Sequence, residues 1–213
     1  MSTITSVEPQ KKKLRRFNIY LDGEFAFGAD EDLVVNRRLV AGKVIAPEDL
    51  QEILFEAEVG KLMEKMYRWF SLRQHSEKEV RDYFRVKGKE EMSQLAVDAV
   101  VETLKRKRLV NDFEFAKAWV EARRKSKQKG IRAIKAELFQ KGIDKEIIEE
   151  VTRVESQESS EEQLAKQALE KKMKVWKNLD SRKLRQKSIE FLLRKGFDYE
   201  TVKSMLDKFI AIP

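Results

Sequence analysis

The chain has 213 residues, 41% apolar and 38% charged, with eight glycines, three prolines and no cysteine, and its 45 Lys and Arg against 37 Asp and Glu leave a net charge of +8. That length can bury a sizeable core, while the missing cysteine excludes disulfides and thiolate chemistry and fits a cytoplasmic protein. No apolar run approaches the roughly 18–20 residues that cross a bilayer or follows the early basic residues as a secretory signal would, so a membrane partner is not expected.

Residues 1–13 are polar and then basic without periodicity, and read as a disordered basic arm. In "FNIYLDGEFAFG", Asp22-Gly23 between two apolar runs predicts a hairpin closed by a type I′ turn. A two-residue loop opposes Leu21 to Glu24, Tyr20 to Phe25 and Ile19 to Ala26. Tyr20, Phe25 and Phe27 then share one face, and Phe17, Ile19 and Leu21 the other. Two apolar faces require further packing, because a lone hairpin is unstable in water. "DEDLVVNRRLVAGK" predicts a short helix closed by Gly42. Pro47, followed by Glu48 and Asp49, opens another helix, where proline suits the first turn and acids suit the positive end of the dipole. These elements make an N-terminal segment over residues 14–58.

From residue 59 strand signals vanish and helices follow in threes. In 59–108, Leu62, Met66, Trp69 and Phe70 form a stripe, Ser76 and Glu79 a capping box, and "EEMSQLAVDAVVETLKRKR" a third helix. In 109–155, an Asn111/Asp112 cap precedes Phe115, Ala116, Trp119 and Val120; Ile131, Ile134 and Leu138 line the next helix, and Asp144 caps a third. The polar "ESQESSEEQ" reads as a linker. In 156–213, Leu169, Met173 and Trp176 are followed by a helix ending at Gly196, and then by Val202, Met205, Leu206 and Phe209 on one face. The expected fold is mainly α: a tandem array of three three-helix repeats preceded by a small N-terminal β-hairpin and helix segment. One signature recurs at 54-residue intervals: a Lys-Gly pair ending at Gly88, Gly142 and Gly196, with Phe84, Leu138 or Leu192 four positions before the glycine. Glycine there takes the left-handed conformation that ends a helix, and lysine suits the negative end of the dipole. A repeat of this length indicates stacked units that each bury only part of their apolar surface.

The catalytic inventory is poor. His75 is the only histidine, and no phosphate loop, nucleophile elbow or dinucleotide turn occurs. The pairs Glu90-Glu91, Glu149-Glu150 and Glu161-Glu162 read as helix-stabilising charge. No enzyme activity, metal or cofactor is expected. The cations are more informative. "RRKSKQKGIRAIK" carries Arg123, Arg124, Lys125, Lys127, Lys129, Arg132 and Lys135 without an acid among them. "KKMKVWKNLDSRKLRQK" carries Lys171, Lys172, Lys174, Arg182, Lys183 and Arg185 among others, against Asp180 alone. The segments 11–16 and 105–108 add to these. Such runs can line an electrostatic track for phosphate, read without base specificity, or they can be solvated helix ends. Trp69, Trp119 and Trp176 fit core packing better than base stacking, because each keeps phase with apolar neighbours.

"LVNDFEFAKAWVEARRK" followed by "KGIRAIKAELFQKGIDKEIIEEV" resembles the central repeat of the RecX family, bacterial regulators of the RecA recombinase. The matching positions are Leu109, Asn111, Asp112, Phe115, Ala116, Gly130, Ile134, Glu137, Leu138, Lys141, Gly142 and Ile143. Asn111 stands where the family pattern has a first Asp, and Ile131 where many members have proline. "LRQHSEKEVRDYFRVKG", "NIYLDGEFAF" and "KSIEFLLRKGFDYETVKSML" extend the resemblance to about residues 14–210. Most of these residues are caps and core, so they mark scaffold rather than site. The resemblance implies a monomeric, non-enzymatic regulator in DNA repair, homologous recombination and the SOS response. It would bind the RecA filament on single-stranded DNA and modulate, most often inhibit, ATP hydrolysis, strand exchange and coprotease activity. Duplex DNA is a further candidate partner. The alternatives are a sequence-independent nucleic-acid binder acting through the basic track, and a protein-only helical scaffold.

Overall fold

A computed structural model describes residues 1–11, 13–87, 92–158, 160–176 and 179–209. Lys12, Gly88 of the first Lys-Gly pair, Glu90, Glu91 and Lys177 lie outside the described residues, as does the Phe209 side chain. The chain divides into two compact units, residues 1–74 with 81–109 and residues 75–80 with 110–213.

The first unit opens with a four-stranded antiparallel sheet of β1 (Ser2–Pro9), β2 (Arg16–Leu21), β3 (Glu24–Asp30) and β4 (Val44–Ile45), in the order β3-β2-β1-β4. The expected disordered arm is therefore wrong over residues 2–9. Thr3, Ile4, Thr5 and Val7 supply β-branched side chains suited to a strand, Ile4 is buried, and pairing on both edges satisfies the backbone. Asp22 and Gly23 take φ of 50° and 89°, as a type I′ turn needs. Leu21 and Tyr20 oppose Glu24 and Phe25 as expected, but a bulge then sets Ile19 opposite Phe27 instead of Ala26. One extra residue moves Phe27 to the buried side with Ile4, Ile19 and Ala29 and leaves Phe25 58% exposed, edge-on to Tyr20. The bulge thus gathers the apolar residues onto one face.

Helix α1 (Glu31–Asn36) is capped by Asp30, which accepts from the Leu33 N–H at 2.8 Å. It stops at Arg37, not at Gly42; Arg38 turns left-handed, and the Arg37 guanidinium is held by Glu56 at 2.6 Å and Glu52 at 3.0 Å. Both acids lie on α2 (Pro47–Phe70), one 24-residue helix where two were expected. The expected boundary at 58/59 falls inside it: the helix runs on through Gly60. Gly60 leaves room for the Asp30 carboxylate, which would lie 2.5 Å from an added Cβ. The first half of α2 puts Ile53 and Ala57 into the sheet's core. Its second half buries Leu62, Met63 and Met66, and the helix packs on α4 (Gln94–Arg106). Trp69 is half-buried with its ring 4.7 Å from Tyr83, as core packing predicts.

Helix α3 (Glu77–Lys87) begins in the second unit, where Ser76 Oγ accepts from the Glu79 N–H at 3.2 Å. Then come α5 (Asp112–Lys127), α6 (Ile131–Gln140), α7 (Lys145–Glu158), α8 (Glu161–Met173), α9 (Ser181–Arg194) and α10 (Tyr199–Phe209). Phe115, Ala116, Val120, Ile134, Leu138, Ile143, Ile148 and Val151 make one core; Ala165, Leu169, Leu192, Phe197, Val202, Met205 and Leu206 belong to another. The expected linker at 155–163 is mostly helix: α7 runs to Glu158, and Ser160 caps α8 by accepting from the Gln163 N–H.

The Lys-Gly pairs do more than end helices. Gly142 and Gly196 have φ of 75° and 90°, and the N–H of the residue after each returns to the carbonyl of the apolar residue five back: Ile143 to Leu138 at 3.1 Å, Phe197 to Leu192 at 3.2 Å. All four of those side chains are buried, so the recurrent spacing is that of a Schellman ending with its apolar contact. Each ending then docks on the start of an earlier helix. Ser76 Oγ donates to the Lys141 carbonyl at 2.7 Å. Gly130 N–H donates to the Lys195 carbonyl at 3.0 Å, and Arg132 N–H to the Gly196 carbonyl at 3.2 Å. Unpaired carbonyls at one helix end thus meet unpaired donors at another, with the dipoles opposed favourably. A Cβ on Gly196 would stand 2.3 Å from that of Ala133, and one on Gly130 2.4 Å from the Gly196 backbone.

Candidate nucleic-acid interface

Folding brings acids to most of the cations that the sequence shows in acid-free runs. On α5, Arg123 Nε donates to Glu137 Oε2 at 2.7 Å, with its guanidinium 4.0 Å over the Trp119 ring. Trp119 Nε1 donates to the same oxygen at 2.8 Å, and Lys129 pairs with the other. Burial alone would raise the Glu137 pKa, but these hydrogen bonds from Lys129, Arg123 and Trp119 outweigh it and hold the carboxyl below its ordinary range. Trp119 also stacks on Phe115, so its ring serves packing.

Arg124 is only 2% exposed and pairs with Glu161. Lys125 pairs with Glu121 at 2.5 Å and Lys135 with Glu149 at 2.6 Å. The expectation of one basic patch over 123–135 therefore needs correcting. Successive residues on α5 project about 100° apart, so Arg123 meets Glu137 of α6, Arg124 meets Glu161 of α8 and Lys125 meets Glu121 one turn back on α5, while Lys135 of α6 meets Glu149 of α7. Lys127 and Arg132 remain exposed without a carboxylate partner among the described residues. In the second run, Lys183 pairs with Asp180 at 3.4 Å and Arg185 with Asp207 at 2.5 Å, while Lys174 and Arg182 are exposed.

The two runs meet at a residue that their charge pattern did not single out. Lys195, the lysine of the last Lys-Gly pair, reaches the end of α5 and donates to the carbonyls of Lys127 and Gln128, the latter at 3.3 Å. Its Nζ and that of Lys172 lie 5.5 and 5.8 Å from the Phe191 ring centre. Lys171 donates to Gln128 Oε1 at 2.9 Å. Burial lowers the Lys195 pKa first, and the charges of Lys171, Lys129, Lys127 and Lys172 lower it further. Lys195, Lys171 and Lys172 therefore gather where α9's end docks. The last Lys-Gly pair marks Lys195 in the sequence, but only the docking of that pair on the start of α6 brings it to the α5–α6 turn.

The scaffold residues of the family motif hold the same junctions. Phe115, Ala116, Ile134, Leu138 and Ile143 are core. Asp112 Oδ1 accepts from the Glu77 N–H at 2.9 Å, so it caps α3, while Asn111 caps α5. Lys141 pairs with Glu79, which also contacts His75 Nδ1 at 3.2 Å. Gly142 gives the turn. Among the described residues no helix is long and apolar enough to cross a membrane.

Residues 2–46 match the regulatory protein RecX N-terminal domain, 111–151 the second three-helix domain of RecX and 160–206 the third. The chain is 38% identical over 201 residues to "Regulatory protein RecX" of Listeria monocytogenes serovar 1/2a, covering 94% of this chain and 73% of that one. This chain belongs to the RecX family. Another member, from Bacillus subtilis strain 168, is 35% identical over 208 residues, which are 98% of this chain and 77% of its own. A crystal structure of regulatory protein RecX superposes with a TM-score of 0.75 at 25% identity, covering 97% of this chain and all of that one. The crystal structure of RecX from Lactobacillus salivarius shares the fold, with a TM-score of 0.62 at 22% identity over 73% of this chain and 98% of that one. The RecX N-terminal match starts within β1, and the two RecX three-helix matches start at the Asn111 and Ser160 caps.

Proposed function

We propose that this chain binds the filament that the RecA recombinase forms on single-stranded DNA and lowers its ATPase, strand-exchange and coprotease activities, with no chemical step of its own. Membership of a family of regulatory proteins carries the reading. The side-chain chemistry supports it. Carboxylates with several polar partners, such as Glu137, Glu79 and Glu64, bind cations of their own unit. Lys127, Arg132, Lys171, Lys172, Lys174 and Arg182 are exposed cations, as contact with a polyanion requires.

The test compares labelled preformed filaments with the same naked oligonucleotide at physiological salt. The expected result is binding to filaments at least about tenfold tighter, equivalent to about 1.4 kcal/mol. Equal affinity for both would assign the chain to general nucleic-acid binding, and no binding to either would leave a protein-only scaffold.

A further inference from the structure

We infer that a cleft of the first unit, walled by the end of the sheet and by α2 and α4, binds a ribonucleoside mono- or diphosphate. Such a site goes beyond the proposed function and does not depend on it. The cleft holds about 540 Å³, within the range of small-molecule sites, and all its lining residues belong to the first unit. The basic segments 11–16 and 105–108 both reach it, through Arg15 and Lys107. Several of its charges are already used by the fold. Arg16 is buried, donating to Glu64 at 3.0 Å and to the Gly28 carbonyl at 3.2 Å. Glu64 also pairs with Lys13 and Arg68. Burial alone would raise the Glu64 pKa, but the Arg16 and Lys13 hydrogen bonds outweigh it and hold the carboxyl below its ordinary range. Asp30 caps α1. Arg15, Lys107, Asp32 and Tyr67 remain to meet a ligand.

Each of these residues suits one part of a nucleotide. Arg15 has φ of 61°, in the left-handed region that a residue with a β-carbon rarely enters, and Glu31 approaches its exposed guanidinium only to 3.6 Å. Backbone strain of this kind collects at ligand sites. Lys107 is exposed, with no carboxylate partner among the described residues. Two such cations match the charge of one or two phosphates and fall short of a triphosphate. Tyr67 is 46% exposed and has no ring partner among the described residues, whereas Trp69, two positions on, packs on Tyr83. Its free ring and the exposed Leu14 at the same cleft offer an apolar surface on which a base stacks. Asp32 is exposed and has no cation among the described residues, so its carboxylate can accept from the sugar hydroxyls, as acids do at ribose sites. A lining of both signs disfavours a plain polyanion and favours a ligand with charge at one end and hydroxyl donors next to it.

The experiment titrates the full chain with ADP, 2′-deoxy-ADP, adenosine and pyrophosphate by calorimetry at physiological salt. ADP should bind, and adenosine and pyrophosphate should each bind at least about tenfold more weakly, because each keeps only part of the contacts. R15Q/K107Q changes exposed side chains, so its urea midpoint without ligand should stay near that of the parent protein. Its ADP affinity should fall at least about tenfold while its adenosine affinity holds. Tyr67→Ala should weaken ADP and adenosine alike, and Tyr67→Phe, which keeps the ring, should weaken neither. Asp32→Asn should narrow the preference for ADP over 2′-deoxy-ADP. K174Q/R182Q removes equal charge elsewhere, and an equal loss of ADP affinity there would overturn the proposal by showing diffuse attraction. No ADP binding by the parent chain at about 1 mM would overturn it as well, as would unchanged binding by R15Q/K107Q. An oligonucleotide that binds more tightly than ADP and is weakened as much by R15Q/K107Q would overturn it in favour of a nucleic-acid strand.

Discussion

Arg124 sits 2% exposed in the second unit, and its guanidinium pairs with Glu161 at the start of α8. A cation so placed joins helices and meets no ligand. Glu161→Ala removes one partner of this buried charge and should cost about 1–3 kcal/mol in urea unfolding, whereas Lys125→Ala on the exposed side of α5 should stay within about 0.5 kcal/mol. Glu137 gives a pH signature. Its folded pKa lies below the ordinary glutamate value of 4.5 because the Lys129, Arg123 and Trp119 hydrogen bonds outweigh burial. A depressed carboxyl contributes stability that is fully present above the unfolded pKa and is lost as pH falls through the folded one. Unfolding free energy should therefore be level near neutrality and decline below about pH 4.5, with a shallower decline in Glu137→Gln.

At the scale of elements, the docked Lys-Gly endings set the register between helices. Three glycine substitutions separate the causes. Gly23→Ala meets nothing within 4 Å and should cost only the left-handed strain of about 1–2 kcal/mol. Gly130→Ala carries no such strain but would clash with the Gly196 backbone, which should cost about 1–3 kcal/mol. Gly196→Ala combines both effects and should be the most destabilising of the three by urea midpoint. Helix phases, most caps and the Lys-Gly periodicity were legible in the sequence because they depend on residues within a few positions of one another. The β1 strand was not, since its pairing partners lie on β2 and β4. The bulge at Ile19 was hidden because both registers of "FNIYL" present apolar side chains. The basic runs misled for the same reason: Glu137, Glu149 and Glu161, which neutralise them, are distant in sequence or one helix away. Lys195 looked like a helix-end lysine, and only the docking of its helix shows the company it keeps.

At the scale of the whole molecule, the net charge of +8 acts through the residues that remain unpaired after folding. Filament binding should weaken as salt rises, because contact with phosphate releases counterions. Duplex DNA should bind with a similar salt dependence but without preference for sequence. The account's central claim is regulation of the recombinase filament. Its most direct measurement is the rate of ATP hydrolysis by filaments preformed on single-stranded DNA as this protein is added. The account predicts a rate that falls and then levels off as binding saturates. An unchanged rate while the protein co-sediments with the filaments would contradict it.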